Sequence, residues 1–126
     1  IISSVAGKIG IPQRSSYAAS KHALHGYFDS LRAEVEDKGI KITILCPGYI
    51  HTNISKNALL GDGLSQNSID QKSQSGMDVK EFVNKALNSI AKQKREAYIG
   101  GKEVMGIYIK RFLPNLLFKI MKKVKA

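Results

Sequence analysis

The sequence predicts an α/β fold with a doubly wound parallel sheet, and three observations carry that expectation. An apolar opening run, Ile1-Ile2, is followed by a helical stretch and then by a second apolar run, the order that sets strands parallel rather than in hairpins. Those runs are almost continuously apolar, as strands covered on both faces require. A further helical stretch then leads to another short strand, Ala97-Tyr98-Ile99-Gly100.

The elements follow in order. Ile1-Ile2-Ser3-Ser4 reads as the end of a buried strand entering a turn, and the missing initiator Met suggests that an N-terminal half precedes it. Gly7, Gly10 and Pro12 form a loop, after which Ser15 or Ser16 can cap a helix from Tyr17 to Asp37. Leu24, Tyr27, Phe28, Leu31 and Val35 make its apolar stripe, and Gly39 ends it. Lys41 to Cys46 is rich in β-branched and apolar residues and stops at Pro47-Gly48. From Asn53 to Gly76 the chain is polar and turn-rich around Ala58-Leu59-Leu60, long enough for a lid or binding loop. Met77 to Lys92 returns to helix, with Asp78 as cap and Val79, Phe82, Val83, Ala86, Leu87 and Ile90 on one side. Val104 to Ala126 is a basic amphipathic tail that Pro114 splits into two helices. The expected organisation is a domain over 1–103 and a tail over 104–126.

Composition restricts the function classes. With 126 residues and 43% hydrophobic content, the chain can bury one core. No run has the length of a membrane span and the start lacks a signal-peptide layout, so a soluble, cytoplasmic chain is expected. One cysteine, Cys46, excludes an internal disulfide framework and reads as a buried, inert thiol. The net charge of +10 is uneven: ten Lys/Arg face eight acids over 1–91, whereas ten face only Glu96 and Glu103 over 92–126. Nucleic acid is an unlikely partner, because no recognition fold or stacking platform accompanies the charge.

Ser4, Tyr17 and Lys21 can bring a hydroxyl, a phenol and an ammonium to one carbonyl. A phenol with a reference pKa of about 10 transfers protons at neutral pH only beside a group that stabilises its anion. Lys21, one helical turn from Tyr17, is placed to do so. The pattern Tyr-x-x-x-Lys is weak alone, and it recurs at Tyr98 and Lys102 on a strand and glycine turn. Only the first pair has a serine at a strand end and a helix beneath it. In open α/β sheets the carboxyl ends of strands bind ligands, and both Ser4 and the Pro47-Gly48 turn lie there. His22 and His25 lack a third ligand at convincing spacing, so packed or solvent-side histidines and no metal are expected. His51 is either a neighbour of a ligand at the Pro47-Gly48 turn or a loop histidine without a role.

Ile2-Ser3-Ser4-x-Ala6-Gly7, Pro12, Tyr17-Ala18-Ala19-Ser20-Lys21 and Pro47-Gly48-Tyr49-Ile50-His51-Thr52 together closely resemble the short-chain dehydrogenase/reductase family. The resemblance covers the first hundred residues and implies the C-terminal half of a Rossmann-type domain, with the N-terminal glycine-rich βαβ units absent. It implies an NAD(P)-dependent oxidoreductase acting on a carbonyl or secondary alcohol. Tyr17 would be its general acid or base, Ser4 rather than Ser3 would hydrogen-bond the substrate oxygen, and Lys21 would assist Tyr17 and hold the nicotinamide ribose. Pro47, Gly48, Ile50 and Thr52 would meet the nicotinamide. No residue here chooses NAD over NADP, and Gly7-x-x-Gly10 does not replace a phosphate loop. The chain alone is therefore expected to be inactive.

Two alternatives stand beside this reading. A nucleotide-sugar epimerase or dehydratase uses a similar Tyr and Lys pair, though the Ala-Ser before Lys21 and the Pro-Gly turn favour the reductase branch. A non-catalytic, basic membrane-surface scaffold is the other. The tail can lie on an anionic membrane or pack on protein, and with Ala58-Leu59-Leu60 it suggests a lipophilic substrate. The 17–37 helix resembles the family's subunit-contact helix, which implies a homo-oligomer.

Overall fold

A computed structural model describes residues 1–53 and 74–124. The expected lid at Ala58-Leu59-Leu60 lies outside the described residues. The elements are α1 (Ser15–Val35), β1 (Ile44–Pro47), α2 (Val79–Ala91), β2 (Glu96–Ile99), α3 (Met105–Phe112) and α4 (Pro114–Met121), with 3-10 turns at Val5–Gly7, Glu36–Lys38 and Lys102–Val104.

β1 and β2 pair in parallel, with Leu45 opposite Ala97 and Cys46 opposite Tyr98. The opening segment joins on the other side of β1 through a parallel bridge from Ile2 to Leu45. Its bonds are Ser3 N–H to Leu45 O and Leu45 N–H to Ile1 O, both 2.8 Å. Three chain segments thus run side by side, with α1 and α2 as the intervening crossovers.

Alternation sorts the side chains onto two faces. Leu45, Ala97 and Ile99 pack with Ala86, Met77 and Phe82, the α2 side. Cys46 and Glu96 point the other way, to His25 of α1. Ile44, Leu45 and Cys46 are each at most 3% exposed, the double-sided burial expected of such strands.

The helix boundaries differ from the sequence reading for identifiable reasons. The helix α1 passes into a 3-10 turn before Gly39, whose φ of 77° gives the left-handed exit that glycine permits. Its buried residues are Ala18 and His25, so the core-facing stripe is rotated away from Tyr27, which is 65% exposed. The expected strand over 41–46 pairs only from Ile44 and extends through Pro47. Met77 is not helical: it bridges Ile50, and Asp78 caps α2 by accepting from the N–H groups of Lys80 and Glu81.

Pro114 divides the tail as expected, at the first position of α4. Ile107 and Leu117 are buried in one cluster with Val5 and Ile9, and Lys110 Nζ donates to Lys8 O at 2.7 Å. The two tail helices therefore cover the Val5–Gly7 turn. Among the described residues no helix is long and apolar enough to cross a membrane.

Candidate active site

Ser4 caps the turn that ends the opening segment, its Oγ accepting from Ala6 N–H at 3.1 Å. The same hydroxyl donates a long bond, 3.5 Å, to Pro47 O, which ties the two neighbouring strand ends together. Tyr17 lies in the first turn of α1 and is 42% exposed. Lys21 Nζ is 5.7 Å from the centre of its ring and donates to Ile2 O at 3.1 Å. The Tyr17–Lys21 turn is thereby tied to the opening segment two residues before Ser4.

The Pro47-Gly48 turn is braced from β2. Gly48 N–H donates to Ile99 O at 2.9 Å, and Glu103 Oε1 accepts from Tyr49 N–H at 2.9 Å and Gly101 N–H at 3.0 Å. A Cβ on Gly48 would overlap Glu103 Oε1, so glycine is what lets the carboxylate reach both turns. Beyond it, His51 N–H donates to Met77 O and Met77 N–H to Tyr49 O, each 2.9 Å, fixing the backbone around Ile50. Thr52 is half-buried and His51 exposed. No motif marks Glu103, because its partners are backbone groups, one in its own turn and one beyond the Pro47-Gly48 turn.

The second pattern, at Tyr98 and Lys102, behaves differently. Tyr98 OH donates to Glu96 Oε2 at 2.8 Å, and burial together with that carboxylate pushes its acidity away from neutral pH. Nothing there favours a phenolate.

A second polar group lies beneath α1. Ser3 Oγ is 2.9 Å from His25 Nε2 and donates to Lys21 O at 3.2 Å. Glu96 Oε1 is 3.0 Å from His25 Nδ1 and 2.7 Å from Lys8 Nζ. Cys46 Sγ lies 3.6 Å from the same oxygen and 3.7 Å from His25 Nε2. Burial lowers the His25 pKa, Lys8 adds to this, and Glu96 opposes it. Burial and Glu96 push the Cys46 thiol up to about 12, so it is protonated and inert. The donor atoms of His25, Cys46 and Glu96 lie within 4.8 Å of one another. Spacing along α1 could not find this group, because its other members come from β1 and β2; the ammonium of Lys8 supplies its positive charge.

Residues 1–62 match the model of the short chain dehydrogenase family. The mouse dehydrogenase/reductase SDR family member 7B is 42% identical over 121 residues, covering 95% of this chain and 38% of that protein. The chain is a member of the short-chain dehydrogenase/reductase family. A zebrafish member 7B is 41% identical over 122 residues, and a Drosophila melanogaster SDR family protein 7-like is 40% identical over 123. The chain spans 40% and 38% of those two proteins. The crystal structure of a short chain dehydrogenase from Burkholderia cenocepacia, in complex with NADP, superposes with a TM-score of 0.76 at 20% identity. That match takes in 98% of this chain and 46% of the other, and it establishes the fold as half of a Rossmann-type short-chain dehydrogenase domain.

Proposed function

We propose that this chain is the proton-transfer half of an NAD(P)-dependent oxidoreductase that interconverts a carbonyl and a secondary alcohol. The observation that carries the reading is the placement of Lys21 Nζ, 5.7 Å from the Tyr17 ring centre and pinned to Ile2 O beside Ser4. The exposed phenol can meet a substrate, and the adjacent strand ends at Pro47-Gly48 offer a backbone wall for a flat ring. These residues fit a nicotinamide and its ribose, which Lys21, Pro47, Gly48, Ile50 and Thr52 would hold.

Bound there, the nicotinamide supplies or accepts the hydride at the substrate carbon. In the reductive direction Tyr17 gives its proton to the carbonyl oxygen, and Ser4 donates a hydrogen bond to that oxygen as charge builds on it. Lys21 stabilises the phenolate left behind, which then recovers a proton from solvent. In the oxidative direction Tyr17 accepts the alcohol proton. NADP in the Burkholderia structure and the family membership support either NAD or NADP.

Tyr17→Phe in the complete protein tests this mechanism. Carbonyl reduction should fall about a hundredfold or more while cofactor affinity stays near that of the parent. Turnover at the parent rate would defeat it. The 126-residue chain alone should show no NAD(P)H binding by fluorescence titration, since no phosphate loop is present in it.

A lipophilic substrate and a membrane surface accord with the tail. Phe112 is 74% exposed and Phe118 63% exposed, next to Lys110, Arg111, Lys119, Lys122 and Lys123. Binding to anionic but not neutral vesicles is the expected behaviour. The outer face of α1, with Tyr27 exposed, is the proposed homo-oligomer contact.

A further inference from the structure

Ser3, His25 and Glu96 stand as hydroxyl, imidazole and carboxylate, with Oγ to Nε2 at 2.9 Å and Nδ1 to Oε1 at 3.0 Å. The arrangement is not nucleophilic, because Ser3 is 3% exposed and its hydroxyl is out of reach of substrate. Counting protons gives its actual use. Ser3 has one hydroxyl hydrogen, and with Lys21 O at 3.2 Å as its acceptor the 2.9 Å contact to His25 is a bond that Nε2–H donates to Ser3 Oγ. Nδ1 is buried without a hydrogen-bond partner, and the Glu96 oxygen 3.0 Å from it is held by the Lys8 ammonium at 2.7 Å. Glu96 takes its own protons elsewhere, from Lys8 and the Cys46 thiol on Oε1 and from Tyr98 on Oε2.

We propose that His25 is a positioning residue for the oxidoreductase reaction: its Nε2–H orients Ser3, and Ser3 holds the Lys21 carbonyl and with it the Tyr17–Lys21 turn against Ser4. The inference rests on the roles proposed above for Ser4, Tyr17 and Lys21. Gly7 supports it independently. A Cβ there would overlap Ser3 Oγ and lie 3.0 Å from both His25 Nε2 and Lys21 O, so the loop closes on this junction with no space to spare. Lys21 is thus fixed twice, through its ammonium on Ile2 O and through its carbonyl on Ser3. Misplacing a reacting group by a fraction of an ångström is costly in rate, whereas ground-state binding need not change.

The test uses the complete protein with His25→Gln, His25→Asn and His25→Leu. A Gln amide nitrogen reaches the Nε2 position and can donate to Ser3; an Asn amide reaches only the Nδ1 position. Asn and Leu should each lower kcat about thirtyfold with KM within about twofold, and Gln should restore it to within about threefold of the parent. In the parent protein, ¹⁵N correlation spectra at neutral pH should show His25 as the Nε2–H tautomer, a result independent of whether any variant folds. An Nδ1–H tautomer, or Asn and Leu variants with the parent kcat per folded molecule, overturns the proposal. Tyr17→Phe run in parallel separates the failures. If that variant keeps its turnover, the oxidoreductase reading fails and takes this inference with it; if it is inactive while His25→Asn is fully active, only the role of His25 fails.

Discussion

His25 shows how a single titratable side chain can be stabilising in one protonation state only. Lys8 from the loop and Glu96 and Cys46 from the sheet face it, and Asp29 and His22 lie further along α1. Its pKa in the fold is below the ordinary 6.5, with burial the main cause and Lys8 next. The unfolded chain therefore binds the proton more readily, so this contribution to stability is complete above about pH 6.5 and is lost as pH falls through the folded value. Urea unfolding of the parent should weaken between pH 7.5 and 5.5, and His25→Gln should flatten that dependence. Cys46 and Tyr98 are pushed upward and do not titrate in this window. Ser4, Tyr17 and Lys21 can be proposed as a site from sequence because their spacing is local or familiar. The histidine was not, since what defines it arrives from positions 46 and 96.

At the scale of elements, the Pro47-Gly48 turn depends on Glu103, which belongs to the turn after β2. One carboxylate oxygen accepts two backbone N–H groups, from Tyr49 and Gly101. Glu103→Ala leaves both donors without that acceptor and should cost about 1–3 kcal/mol of stability, read by denaturant unfolding. Gly48→Ala should cost a similar amount by driving the carboxylate away, and combining the two changes should cost less than their sum. In the complete protein either change should raise KM for the nicotinamide cofactor more than it lowers kcat. Helix and strand existence were legible from periodicity and from the caps at Asp78, Gly39 and Pro114. The phase of α1 was not, because a small residue, Ala18, and a histidine occupy the buried face while Tyr27 points outward.

Across the whole molecule, the tail helices share a cluster with the loop that follows the opening segment, through Ile107, Leu117, Val5 and Ile9. Leu117→Ala should destabilise the chain by about 2–5 kcal/mol, whereas Phe118→Ala, on the exposed face, should leave the midpoint of unfolding almost unchanged and reduce vesicle binding. The sequence pattern found the amphipathic stripe but not how it is divided between core and surface, because both halves are equally apolar. The parallel bridges carry a further consequence, for the order in which the chain folds. Residue 2 must find residue 45, and residue 44 must find residue 96, before any inter-strand bond forms. Among the described residues no hairpin offers a local nucleus, and each pairing closes a long loop at an entropic cost. The helices α1 and α2 can gain structure early, but the strand ends that carry Ser4 and Pro47 come together only with these distant pairings. The geometry proposed for catalysis is thus among the late products of folding, and substitutions at the strand ends should speed unfolding more than they slow refolding.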